Sequence, residues 1–215
     1  MPTVTINPSL FGTTWHLDAA GLSWADLIAA AGNDAGVGTW GYGSYITSHS
    51  SADTWTTLFR DIILFNPTSV LPSSTIALSA TLRLYAHSGK LDTGNFAPTM
   101  NIYQSAPAAD NTIVAGDFDS LGSTSYSDVI TYANWTVSAY NNFLLNVAGL
   151  AALNVAIAAA DKFRIGTRNA NYDVAAVSPT WVASKSCAMY HRNASPNYCQ
   201  LTITYAPRGG IEQII

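Results

Sequence analysis

Charge is what this sequence has least of. Only 10% of its 215 residues are Asp, Glu, Lys or Arg, against about 25% in an average soluble domain. Nine basic and thirteen acidic side chains leave a net charge of −4. No basic stripe is present, so nucleic-acid binding has no electrostatic footprint. Long apolar runs are scarce too. The most apolar stretch, Phe143 to Ala160, is broken by Asn146 and Asn154 and stops at Asp161, too polar and too short for membrane insertion. Val147, Leu150, Ala151 and Ile157 recur in it at helical spacing, which predicts a short helix packed on a sheet. The opening MPTVTINPSLFGT has neither the basic nor the apolar region of a secretory signal,. Synthesis in a cytoplasm is expected, with any outward journey by another route, as for virion parts released by lysis.

Cysteine is equally sparse, with Cys187 and Cys199 the only two. No CxxC or Cys/His spacing suggests zinc. The pair is close enough in sequence for a disulfide across a hairpin. Two small buried thiols fit as well, and cytosolic synthesis favours them. Sequence leaves both open, because the separation of the two Cα atoms cannot be read from it.

What the chain does have is Asn, Ser, Thr and Gly between strand-like runs. This makes a neutral, hydrogen-bonding surface, suited to resting on other protein or on sugars. TVTI (Thr3–Ile6) is a short strand candidate. Leu22 to Gly32 reads as a helix, with Ser23 placed as its cap and Asp26 three residues on. Gly32, Gly36, Gly38, Gly41 and Gly43 then mark a loop or bulged edge,. Phe59 to Phe65 is apolar on both parities from Ile62 onward, so both its faces should be covered. A corner with Pro67 and Pro72 follows. Ile76, Leu78, Ala80, Leu82 and Leu84 alternate with Ala77, Ser79, Thr81, Arg83 and Tyr85, predicting a half-buried strand about 33 Å long. Further strands are expected at Met100–Ser105, Lys162–Arg168, Cys187–His191 and Tyr198–Tyr205. The pattern predicts an all-β fold: a jelly-roll β-sandwich of two antiparallel sheets with one or two short helices. Residues 36–206 should form that domain. The N-terminal 1–35 and the tail 207–215 are expected to be attachment segments.

Catalytic signals are weak. Gly21-Leu22-Ser23-Trp24-Ala25 departs from the G-x-S-x-G elbow at its last position, and a helix cap is the plainer role for Ser23. Asp117 and Asp119 flank a phenylalanine in a Gly- and Ser-bounded loop, where turn capping outweighs a glycosidase pair. His16, His49, His87 and His191 are scattered with no metal-ligand spacing. A structural calcium ion would have to use Asp53, Asp92, Asp117 or Asp173, but no calcium-loop motif supports it. No cofactor or metal is expected. Asn134-Trp135-Thr136 matches a glycosylation sequon, silent without export. Aromatics are plentiful, with six tryptophans and eleven tyrosines. Trp40, Tyr42 and Tyr45 in the glycine-rich segment, and Tyr172 and Trp181 around a proline-containing loop, are candidate carbohydrate contacts. Flat rings stack on pyranose faces while neighbouring amides bond the hydroxyls. Core and interface packing is the competing use of each ring.

The stretch RDIILFNPTSVLPSSTIALSATLRLY resembles the core signature of DNRLRE-type (disaggregatase-related) domains. Similarity continues in NIYQSAPAADNTIVAGDFDSLGS, RIGTRNANYDVAAVSPTW and CQLTITY, covering roughly residues 40–206. The resemblance implies a jelly-roll sandwich related in shape to carbohydrate-binding modules, in a surface setting that includes phage-like proteins. It transfers no catalytic residue. The resulting expectation is a non-enzymatic structural or adhesive protein of a virion surface, decorating a capsid or forming part of a fibre. Its partners would be other virion proteins and copies of itself, with Ile211, Ile214 and Ile215 of the tail as the attachment residues. Glycan binding by a carbohydrate-binding module is the alternative.

Overall fold

The computed structural model describes residues 1–208. Ile211, Ile214 and Ile215 lie outside the described residues. The chain opens with β1 (Thr3–Ile6) and the long β2 (Leu10–Leu22), followed by α1 (Trp24–Ala29). Four strands come next: β3 (Asp34–Val37), β4 (Trp40–Gly41), β5 (Ile46–Ser48) and β6 (Trp55–Phe65). After the proline corner run β7 (Thr75–Ala86), β8 (Leu91–Asp92) and β9 (Thr99–Ser105). Then follow β10 (Leu121–Ser125), β11 (Ile130–Thr131), β12 (Tyr140–Leu144) and α2 (Val147–Ala158). The chain returns through β13 (Phe163–Asn169), β14 (Ser186–Ala188), β15 (His191–Arg192) and β16 (Gln200–Pro207).

These strands form two antiparallel sheets of a jelly-roll-like β-sandwich. One sheet runs β1-β16-β7-β15-β4, with β12 also on β7; the other runs β10-β9-β13-β6-β5-β14-β8, with β2 bridging β6 and β3. No described helix is long and apolar enough to cross a membrane.

β6 shows why two covered faces need continuous apolar sequence. Ile63 and Phe65 point between the sheets and join the main core with Leu82, Leu84, Leu201 and Ile203. Ile62 and Leu64 point outward and are sealed by Leu10, Ile113 and Leu121. All four are fully buried, each contributing roughly 1.5–3 kcal/mol.

The first helix starts where its cap predicts. Ser23 Oγ accepts from Asp26 N–H (3.2 Å) and donates to the Asp26 carboxylate (2.6 Å). The second is capped by Asn146, whose side chain accepts from Gly149 N–H. Its buried face is Leu153, Ala156 and Ile157, whereas Val147 is 88% exposed, contrary to the helical spacing read from the sequence. Asn154 turns inward and makes both bonds of a missing strand partner to Ala77, at 2.7 and 3.0 Å.

Three further expectations need correction, and the open question of the two cysteines is settled. The boundary at 35/36 has no counterpart, because β1 pairs with β16 and β2 pairs along β6; residues 1–35 are part of both sheets. Alternation in β7 is not strict: register shifts where Thr204 faces Ser79 and Tyr205 faces Ala77. Leu78 is the extra residue of this bulge, so Ala77, not Leu78, faces the core,. Cys187–His191 is not one strand. It crosses between sheets, β14 pairing with β5 and β15 with β7. The two cysteines are free, buried thiols. Cys199 belongs to the inter-sheet core and Cys187 to a separate cluster around Trp55, so each is a small apolar filler. Burial raises both thiol pKa values.

Candidate binding groove at the end of the sandwich

Two segments cross from sheet to sheet side by side at one end of the sandwich. Residues 40–46 run from β4 to β5, and residues 188–191 run from β14 to β15. In the first, glycine and aromatic residues alternate. Gly41 presses on the His191 ring, where an added Cβ would sit 2.1 Å from Nε2; Gly43 presses on Thr167, where it would sit 2.0 Å from Oγ1. No side chain fits at either place, so Trp40 and Tyr42 are turned the other way.

Beneath this segment lies Asp61, fully buried. Its carboxylate accepts from Tyr42 N–H (2.9 Å), Gly43 N–H (2.6 Å), Thr13 Oγ1 (2.8 Å) and Thr167 Oγ1 (2.8 Å). Hydrogen bonds to an ionised acceptor are stronger than neutral ones, so this one side chain fixes the backbone that carries the aromatics. His191 Nε2 stands 3.4 Å from the same carboxylate, without the alignment of a hydrogen bond. Burial lowers the His191 pKa, and the Asp61 charge opposes that only in part. The ring is therefore neutral, packed edge-on to Phe11.

Above this polar layer the rings collect. Tyr42 meets Phe59 at 5.4 Å and Tyr190 at 5.6 Å between centroids, and Tyr45 meets Phe59 at 5.1 Å. Trp15 stacks on Phe59 at 5.2 Å. Trp40, 37% exposed, lies 4.5 Å from the His87 ring and has the Arg192 guanidinium 5.2 Å from its centroid. Two grooves meet here. One, about 430 Å³, is lined by Thr13, Trp15, Val37, Trp40, Tyr42 and Phe59. The other, about 280 Å³, is lined by Trp40, Tyr42, His87 and Tyr190. Trp40 and Tyr42 form the ridge between them. The hydroxyls of Tyr42, Tyr45 and Tyr190 make no hydrogen bond to the described residues. Burial pushes the Tyr190 pKa up to about 12, and burial plus Asp61 raises that of Tyr42. Both stay protonated and can donate.

The five aromatics singled out in the sequence thus divide. Trp40 and Tyr42 line the groove, and Tyr45 packs beside them against Phe59 and Tyr190. Tyr172 and Trp181 pack against the separate cluster of Trp24, Trp55 and Phe96. Their polar ends are occupied within the chain: Tyr172 Oη donates to Phe96 O, and Trp181 Nε1 donates to His49 O at 3.2 Å. Sequence reasoning missed Trp15 and Phe59, which reach the groove from β2 and β6, and Tyr190, which reaches it from the second crossing segment; it also missed Asp61 and His191 beneath the groove. An Arg-Asp pair inside an otherwise apolar strand was the available signal, because buried charges need partners.

Other candidate groups are committed to the scaffold. Asp117 accepts from Ala108 N–H and Val114 N–H at 2.7 and 2.9 Å, a loop cap. Asp119 is half-exposed, 3.6 Å from Arg60. Asp92 accepts from Phe96 and Ala97 N–H groups. Asp173 is clasped by Arg60 and Arg168. Among the described residues no group of three His, Cys, Asp or Glu converges. Neither a protein-family model nor a curated protein matches this chain, so a functional reading has to start from the groove and its chemistry.

Proposed function

We propose that this chain is a non-catalytic adhesive domain that binds saccharide at the aromatic end of the sandwich. One observation carries the reading: Trp40, Tyr42 and Tyr190 present ring faces side by side, the two tyrosines with free hydroxyls, and Asp61 pins the backbone at Tyr42 and Gly43. Apolar ring faces suit the C–H face of a pyranose, and protonated tyrosines, Arg192 and His87 suit its oxygens. A shallow groove between rigid strands also suits repeated, reversible contact. The setting we propose is a virion surface, as a capsid decoration or fibre component. The charge-poor, Asn/Ser/Thr-rich composition and the segmental resemblance to DNRLRE-type domains support that setting, and co-sedimentation with purified virions tests it.

The groove is tested by a glycan array followed by titration calorimetry on the best saccharide. Trp40→Ala is expected to weaken binding by about thirtyfold or more, as for a central aromatic contact worth roughly 2 kcal/mol. Trp181→Ala should bind as the parent does while unfolding more easily. Equal binding by Trp40→Ala and the parent would remove the site from this groove, and silence across the array would remove the saccharide reading.

A further inference from the structure

α2 is apolar on all sides, yet it lies on the surface. A helix of that kind is normally buried. Its outward stripe is Val147, Ala148, Ala151, Val155 and Ala158, all exposed, and Leu144 just before it is 63% exposed. Asn154 is the helix's only hydrogen-bonding side chain, and it is occupied by Ala77. Nothing among the described residues covers the stripe.

We propose that this face pairs with the same face of a second copy, the helices antiparallel about a two-fold axis through Ala151. Three features support that occupant over another partner. The stripe offers no charge and no hydrogen-bonding side chain, so a polar or ionic partner gains nothing there, while small residues let two helices approach closely. The surface is also self-complementary. Val147 projects at one end with 88% exposure. At the other end, a groove of about 290 Å³ runs beside the helix, walled on the helix side by Ala152, Val155 and Ala159 and on the far side by Gln104, Asp161 and Arg164. Val147 and Val155 each lie four residues from Ala151, so a two-fold there puts each projection into the facing groove, as an isologous contact requires. The rims match as well. Asp128, beside the Ser127–Leu145 bridge at the N-terminal end, and Lys162 at the C-terminal end form no ion pair among the described residues. The antiparallel arrangement brings the two ends together and opposes the helix dipoles.

A 12-residue helix is about 18 Å long, so this contact falls below the roughly 800 Å² per partner of a standard interface. A reversible dimer dissociating in roughly the micromolar-to-millimolar range is expected. The test is sedimentation velocity on the full chain from about 1 µM to about 1 mM. Val147→Asp should raise the dissociation constant at least about thirtyfold without harming the fold, since an acid in the first helical turn is favourable. Ala151→Cys, the residue on the axis, should give a disulfide-linked dimer on mild oxidation; Val155→Cys alone should not, and the native thiols are buried. A chain that stays monomeric at about 1 mM overturns the proposal, whatever else covers the stripe. So does a dimer indifferent to Val147→Asp, or one that Ala151→Cys fails to lock.

Discussion

Arg60 and Asp61 are neighbours in β6, both buried, and they serve opposite sides of the same sheet. On the outer side, Arg60 and Arg168 close on Asp173. Four bonds of 2.7 to 3.0 Å join the two guanidinium forks to one carboxylate. The spare donors reach Phe118 O, Ile28 O, Leu121 O and Gly122 O, and Arg60 lies 3.8 Å over the Phe118 ring. One ionic knot thereby fastens α1 and the 115–122 loop to the sheet. On the inner side, Asp61 has only neutral donors: two backbone N–H groups and two hydroxyls. Full countercharges give the outer cluster strength. Neutral dipoles give the inner one accuracy of placement and hold no fixed cation against the groove. Adjacent residues therefore separate two tasks, the outer holding the fold and the inner holding the wall of the aromatic groove.

The largest effect should come from the outer knot. Asp173→Asn leaves two buried guanidiniums without their anion, and removing one partner of such a cluster costs about 3–5 kcal/mol. Urea unfolding would measure it, and a loss below about 1 kcal/mol would mean that the knot is an ornament of the loops. The carboxyl also sets a limit in acid. Burial raises its pKa, but the Arg60 charge and the hydrogen bonds from both arginines outweigh that and hold it below the ordinary value. Its contribution is thus fully present above the unfolded carboxylate value near 3.9 and is lost as pH falls through the depressed folded value.

A smaller but more local loss is expected on the inner side. Asp61→Asn keeps the volume yet offers one acceptor oxygen where four donors converge, and each stranded donor costs about 1–3 kcal/mol less any relaxation. A net cost of about 2 kcal/mol is expected. The amides of Tyr42 and Gly43 should exchange hydrogen faster, and saccharide binding should fall with them. If binding dropped while those amides stayed protected, Asp61 would act on the ligand directly and the division of tasks would be wrong.

The outer side was the more legible of the two. Continuous apolar sequence at Ile62–Phe65 announced a doubly covered strand, and Ser23 and Asn146 sit where caps belong. These are local signals, and local physics settles them. The segments RDIILF and RNANYDV supply Arg60, Arg168 and Asp173, which meet only in three dimensions. The groove was half legible: alternating glycine and aromatic residues marked Trp40, Tyr42 and Tyr45. Tyr172 and Trp181 looked the same in sequence, because an aromatic beside a loop does not reveal whether its polar end will find a backbone carbonyl. β2 and β12 escaped notice because Thr, Gly and Asn break their alternation. The bulge at Leu78 escaped because it is imposed by pairing with β16.

The smallest effect separates the two sides by pH. Burial holds His191 neutral in the folded chain with its pKa below the ordinary value, the Asp61 charge offsetting this only partly. The unfolded chain takes up that proton near pH 6.5. Below this pH the unfolded state binds more protons, so the contribution of His191 is fully present above about 6.5 and is lost as pH falls toward the folded value, at up to about 1.4 kcal/mol per pH unit. The outer knot's carboxyl, held below its ordinary value, does not titrate in this window, so a His191 variant isolates the share of any slope between pH 7 and pH 5 that the inner layer supplies. His191→Gln should flatten that slope relative to the parent, even if the variant is less stable throughout, because it removes the proton uptake and not the carboxylate beneath. Parallel stability curves for parent and variant over that range would show instead that the ring beside Asp61 keeps its ordinary proton affinity when folded, so that Asp61 gains a cationic neighbour as the pH falls.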